Sequence, residues 1–238
     1  MLDSHIHFDK QPYTIDTINK MVEVAINNNI TELYLLDHTH KFIEFTPLYL
    51  SLMKNQFAWS WYQKKKPISL DVYWDFIKLV RTYEFPIKIY FGLEVCYFKD
   101  KEDWLKEFLG KYDFDFLVGS VHFIDNIPFD FSEKVWENQD VDMMYKKYYE
   151  ITEDLIKSQI FTNLAHPDSI KLFNFYPQFD LKPSYEKIAK LLYRYNLPTE
   201  NNTGLWRYNF SYPGINTEFL QILKSYNVKI NKASDAHT

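Results

Sequence analysis

The sequence predicts an α/β fold, a closed or nearly closed barrel of seven strand–helix units, and three observations predict it. Apolar runs of strand length recur along the whole chain, helix-like segments fall between them, and six of the seven histidines stand at or just past the ends of such runs. Regular alternation of strand and helix argues for a parallel sheet, and seven units suffice to close or nearly close it. Taken in order, strands are expected at 2–7, 32–37, 87–94, 114–122, 160–165, 197–202 and 228–234. Helices are expected near 14–28, 68–84, 101–110, 140–158, 183–195 and 214–226. Thr14, Ser69 and Asp140 suit N-caps, because a short side-chain oxygen can accept from a free amide of the first turn. Pro183 suits a first turn, where its missing N–H leaves no bond unmade.

The longest irregular stretch is expected at 39–67, with Trp59, Trp61 and Tyr62 followed by the run Lys64-Lys65-Lys66. A loop of that length is a lid or, on sequence alone, an aromatic loop over the barrel rim with a solvated lysine run. The last strand is followed only by the final histidine cluster, so the seventh unit reads as lacking its helix or as shortened.

At 238 residues the chain is expected to form one domain. The net charge of −5, with both signs interspersed, offers no basic stripe for a nucleic-acid backbone. Cys96 is the only cysteine, which excludes an internal disulfide framework, and Met1-Leu2-Asp3 lacks the opening of a signal peptide. No apolar stretch reaches the length of a membrane span. A cytoplasmic protein is expected, with Cys96 as a small buried side chain and the many aromatics filling a core and lining a pocket.

The histidines carry the chemistry. His5 and His7 alternate by two, so on a strand they share a face and can hold one ion together. Glu94 ends the third strand and Asp235 the last, which completes a site of two imidazoles and two carboxylates. His122 and His166 follow strands in the same way, and Glu94 can bridge to them in a second site. His38 and His237 remain for a third. Each histidine alone reads equally well as a satisfied core residue. Repetition at six matching positions is what favours metal.

The ordered set His-x-His, Asp37-His38, Gly92-Leu93-Glu94, Gly119-Ser120-Val121-His122, His166-Pro167-Asp168 and Ser234-Asp235-Ala236-His237 resembles the PHP (polymerase and histidinol phosphatase) superfamily across essentially the whole chain. The run from Asp115 to Asp125, Phe129-Asp130, and Asn202-Thr203-Gly204-Leu205-Trp206-Arg207 resemble the histidinol-phosphatase branch. The resemblance implies a distorted (β/α)7 barrel with two or three divalent ions (zinc, manganese or iron) at the C-terminal ends of its strands, hydrolysing phosphate esters. It implies His5, His7, Glu94 and Asp235 around one ion, Glu94, His122 and His166 around a second, and His38 and His237 around a third. The chain departs from the pattern in one place. Many members carry another histidine soon after His-x-His, whereas Phe8-Asp9-Lys10-Gln11-Pro12-Tyr13 has none, which leaves the third site short of a ligand. His40 either compensates or is a loop histidine facing solvent or substrate.

The expected reaction is hydrolysis of L-histidinol phosphate by water that metal coordination brings from a pKa of about 15.7 toward about 7. Arg207 is the expected phosphate clamp and Lys171 a second cation, since guanidinium and ammonium both bind phosphate. Asp235 or a metal-held water is expected to supply the leaving group's proton. The alternatives are a PHP phosphoesterase for another small phosphate ester or nucleotide, and a metal-binding module without activity. A nucleophilic serine is disfavoured, because Ser4, Ser120 and Ser234 lie inside the ligand motifs and not in a Gly-x-Ser-x-Gly turn.

Overall fold

The computed structural model describes residues 1–9, 11–208 and 214–237. Among them each predicted strand forms: β1 (Leu2–His7), β2 (Glu32–His38), β3 (Lys88–Cys96), β4 (Phe116–Ser120), β5 (Asn163–Leu164), β6 (Thr199–Asn202) and β7 (Ile230–Ala233). They pair in that order, all parallel. Two main-chain bonds just beyond β7 draw the ends together, His7 N to Ala236 O at 2.8 Å and Asp235 N to His5 O at 2.9 Å, so the sheet is a nearly closed barrel.

The helices are α1 (Ile15–Asn27), α2 (Thr46–Tyr49), α3 (Gln56–Gln63), α4 (Leu70–Val80), α5 (Glu102–Leu109), α6 (Val141–Ser158), α7 (Lys182–Arg194) and α8 (Thr217–Ser225). Thr14, Ser69 and Asp140 cap α1, α4 and α6 through side-chain oxygens, and Pro183 lies in the first turn of α7. No helix among the described residues is long and apolar enough to cross a membrane.

Between 39 and 67 the structure corrects the expectation of an irregular loop. That stretch is a series of 3-10 turns with α2 and α3. The reason is a helical spacing of apolar residues: Phe42, Phe45, Leu48, Tyr49 and Leu52 recur three or four apart and are all buried. Asn55 then caps α3 by accepting from Ala58 N at 3.1 Å. β5 is much shorter than its apolar run, because only Asn163 and Leu164 pair.

Inside the barrel the layers follow from strand alternation. Tyr34, Leu36 and His38 share the inner face of β2, beside Tyr90, Gly92 and Glu94 of β3. Phe116, Leu36, Val118 and Ala165 plug the interior below the histidines, with Tyr34 and Tyr90 packed beneath. Gly92 permits this plug, since a Cβ there would lie 2.3 Å from Phe116 O. The apolar floor keeps water from approaching from below and leaves the polar residues at one mouth.

Candidate metal centre

At that mouth the Glu94 carboxylate is almost wholly buried and meets five imidazoles. Its Oε2 lies 2.9 Å from His38 Nδ1, 3.3 Å from His7 Nε2 and 3.4 Å from His5 Nε2. Its Oε1 lies 2.8 Å from His122 Nε2 and 3.2 Å from His166 Nε2. Asp235 Oδ1 stands 3.2 Å from both His7 Nε2 and His237 Nε2, and 3.7 Å from His5 Nε2. The rings stack closely, His7 lying 4.3 Å from both His38 and His237 between centroids.

The side chains fall into three overlapping groups whose donor atoms all lie within 4.8 Å of one another: His5, His7 and Asp235; His38, Glu94 and His122; and His7, Asp9, His38 and His237. Metal–nitrogen and metal–oxygen bonds of about 2.0–2.2 Å put ligand atoms on opposite sides of an ion no more than about 4.4 Å apart, so these groups need little adjustment to close on ions. His5 Nε2 and His7 Nε2 also face each other at 3.0 Å, two like atoms that an ion between them and the carboxylates would reconcile. The donor set fits divalent metal.

Burial and charge act on these groups in opposite directions. Full burial opposes ionisation of Glu94, yet His38 and the hydrogen-bonding His122 and His166 hold its carboxyl well below the usual range. Burial pushes His38 down to about 4, so at neutral pH its imidazole is neutral and presents a lone pair. His122 runs the other way: against its desolvation, Asp130 raises it to about 10.

The barrel supports these ligands from behind. His5 Nδ1 meets the two oxygens of Glu200 at 3.0 and 3.1 Å, and His122 Nδ1 meets Asp130 Oδ2 at 2.5 Å. Such carboxylate partners fix which ring nitrogen points at a metal. Glu200 also accepts from Asn163 Nδ2 at 3.0 Å, Asn202 Nδ2 at 2.8 Å and His166 N at 3.1 Å, so one buried side chain ties β5, β6 and β1.

Two of these residues escape the sequence reading. Asp9 occupies the mouth where a further histidine is missing, its Oδ2 2.5 Å from His237 Nδ1. The signal was the alternation itself, since His5, His7 and Asp9 stand at i, i+2 and i+4. Asp9 has φ +41, beyond the end of β1, and Lys41 Nζ pins that turn by donating to Asp9 O at 2.8 Å and to the buried Asp37 Oδ2 at 2.7 Å. Glu200 was signalled by the polarity of Thr199-Glu200-Asn201-Asn202, a strand that can be buried only if its side chains bond one another.

Above the centre opens a cavity of about 430 Å³, bordered by His38, His40, His122, His166, Arg207 and Asp235 among others. Arg207, in the 3-10 turn Gly204–Tyr208, donates from Nη2 to Asp235 Oδ2 at 3.3 Å and from Nη1 to Asp235 O. Gly204 makes space for this pair, since a Cβ would come within 2.7 Å of Asp235 Oδ2. His40 borders the cavity, stacks 4.8 Å from His38 and meets Trp61 edge-on at 5.0 Å, outside the three donor groups. Lys171 is a correction. It is buried, donates to Asp168 Oδ2 at 2.6 Å and to Gly214 O at 2.7 Å, and therefore straps the loop after β5 to the start of α8 instead of reaching substrate.

Known proteins share this fold. The sequence profile of the family described as "PHP domain" matches residues 3–204. A protein of Deinococcus radiodurans named "Probable histidinol-phosphatase" is 24% identical over 214 residues, 87% of this chain and 75% of that protein. A candidate histidinol phosphatase, hisK, of Listeria monocytogenes has the same fold, with a TM-score of 0.77 at 19% identity over 100% of this chain and 95% of that one. The histidinol phosphate phosphatase of Lactococcus lactis, solved with zinc, L-histidinol and phosphate, gives 0.69 at 18% identity over 99% and 86%. With the profile spanning residues 3–204 and the barrel fold shared with the Listeria protein, this chain belongs to the PHP domain family.

Proposed function

We propose that this chain is a metal-dependent phosphomonoester hydrolase whose substrate is L-histidinol phosphate. The observation that carries the reading is Glu94, a buried carboxylate shared by five imidazoles under a cavity with an arginine at its rim. Such a carboxylate suits a bridge between ions, and the rim suits a dianionic ester. The names of the Deinococcus and Lactococcus proteins support the choice of substrate.

In this reading His5, His7, Glu94 and Asp235 would hold one ion, Glu94, His122 and His166 a second, and His38 and His237, joined by Asp9, a third. Zinc, manganese or iron would supply Lewis acidity and water activated near neutral pH. Arg207 binds the phosphoryl oxygens with the guanidinium edge that Asp235 leaves free. Asp235 faces the imidazoles with one oxygen and receives Asn202 and Arg207 on the other. We therefore assign it to holding metal and orienting Arg207, in place of protonating the leaving group. His40 faces the substrate side of the cavity.

The test is phosphate release from L-histidinol phosphate against a generic aryl phosphate, after separate loading with zinc and manganese. A kcat/KM strongly favouring histidinol phosphate is expected. Equal slow turnover of both would retain the hydrolase and overturn the substrate.

A further inference from the structure

The run Lys64-Lys65-Lys66 reads in sequence as a solvated stretch, but its members part company in the structure. Lys64 and Lys66 are exposed, whereas Lys65 is half-buried and borders the same cavity as Arg207 and His237. The turn that closes α3 aims it there: Lys65 N donates to Tyr62 O at 2.9 Å, and the ammonium comes to rest 4.3 Å above the ring of Trp61. Trp61 in turn packs on His40 at 5.0 Å and on Phe131 at 4.5 Å, so this cation stands on an aromatic wall of the mouth. Among the described residues no carboxylate forms an ion pair with it. Desolvation lowers the Lys65 ammonium from its ordinary value and the charge of Asp9 opposes this, which leaves room for an arriving anion to restore what burial takes away.

We infer that Lys65 is a second phosphate-binding cation of this chain, brought by the turn that closes α3 to the same cavity that Arg207 borders. The two cations are built differently. Arg207 is anchored on Asp235, while Lys65 rests on an aromatic face at the end of a four-carbon stem and can move onto a phosphoryl oxygen without breaking an ion pair. A phosphomonoester carries close to two negative charges at neutral pH, more than the single guanidinium of Arg207 matches. The helical cap over the mouth thereby contributes to substrate recognition as well as to packing.

This inference rests on the phosphoesterase reading for its substrate, and the test separates the two. Inorganic phosphate binding to the zinc-loaded protein is measured by calorimetry, with zinc per chain determined in parallel. Lys65→Met, which keeps the stem over Trp61, is expected to weaken phosphate binding about tenfold with zinc content unchanged. Lys65→Arg should stay within about threefold of wild type, and Lys66→Met should match wild type. With histidinol phosphate, Lys65→Met should raise KM and leave kcat within about twofold, the pattern of a contact made equally in ground and transition states. Unchanged phosphate affinity in Lys65→Met, or an equal loss in Lys66→Met, overturns the clamp. Lys65-dependent phosphate binding by a protein that leaves histidinol phosphate intact overturns the substrate reading and keeps the clamp.

Discussion

The two halves of the barrel hold their ligands by different means. From β1 to β4 the ladders are long: β2 pairs with β3 along Glu32–His38 and Lys88–Glu94, and β3 with β4 along Gly92–Cys96 and Phe116–Ser120. His5, His7, His38 and Glu94 sit on those strands themselves, so main-chain hydrogen bonds place them. In the other half the ladders thin out at β5, which meets β4 through Asn163 and Leu164 and β6 through Leu164 and Thr199 alone, before β6 and β7 pair again along Thr199–Asn202 and Ile230–Ala233. There His166 and Asp235 stand beyond the strands at φ +21 and +51, conformations that an L-residue adopts only when its surroundings impose them. Beside the main-chain bond from Asp235 N to His5 O, side-chain bonding helps to impose them. Glu200 takes the His166 amide, and Asn202 reaches Asp235 Oδ2 at 3.2 Å while accepting from Gly204 N at 2.8 Å. Where backbone pairing thins, a buried carboxylate and an asparagine supplement it.

The sharpest way to break this comparison is to remove one carboxylate from each half. Glu94→Gln is expected to abolish nearly all turnover and lower bound metal, well beyond the ~10–100-fold that loss of a supporting hydrogen bond brings. The fold should survive, because β3 is paired on both sides. Full activity with unchanged metal stoichiometry would remove Glu94 from the centre. Glu200→Ala should do the opposite, destabilising the protein by about 3–5 kcal/mol in urea unfolding, since it strands buried partners on three strands. A loss below about 0.5 kcal/mol, ordinary for a surface change, would mean that the thin half is held some other way.

The same contrast explains what could be read from the sequence. Ligands placed by strands are legible, because His5, His7, His38 and Glu94 each fall at a predictable point of an apolar run. The groups that position ligands by side-chain bonding are less so: the polarity of Thr199–Asn202 signals that bonding exists, but Glu200 and Asp37 acquire their roles only from partners such as His5 and Lys41. Lys171 looks like a free cation after His166-Pro167-Asp168, yet its spacing of three from Asp168 already offered a partner. In 39–67 the abundance of aromatics and lysines hides a helical period that the buried Phe42, Phe45, Tyr49 and Leu52 express. Asp9 was obscured because a missing histidine draws the eye to other histidines, although a carboxylate is an equally good ligand.

Asp9 sharpens the comparison at the junction of the halves, where its carboxylate from the β1 side meets His237 from the β7 side. Asp9→Asn keeps the size and removes the charge. One class of bound metal should then weaken about ten- to a hundredfold, seen as a fractional loss on dialysis, while the ions around Glu94 stay. Loss of all metal at once would show that the three donor groups bind as one unit.

Arg207 gives the smallest effect and the finest test, because it stands in the thin half and bonds there to Asp235. Its guanidinium is partly exposed and bonded to Asp235, so it is both a strut for a ligand and a cation facing the cavity. Arg207→Ala should raise KM for the phosphate ester about tenfold with metal content unchanged, if Asn202 alone suffices to hold Asp235. Were kcat to fall and metal to be lost together, Arg207 would act chiefly through Asp235. Arg207→Lys separates the roles further: a lysine restores charge at the rim but cannot reproduce the two-pronged bond to Asp235, so recovery of KM by lysine assigns Arg207 to phosphate and failure assigns it to the strut.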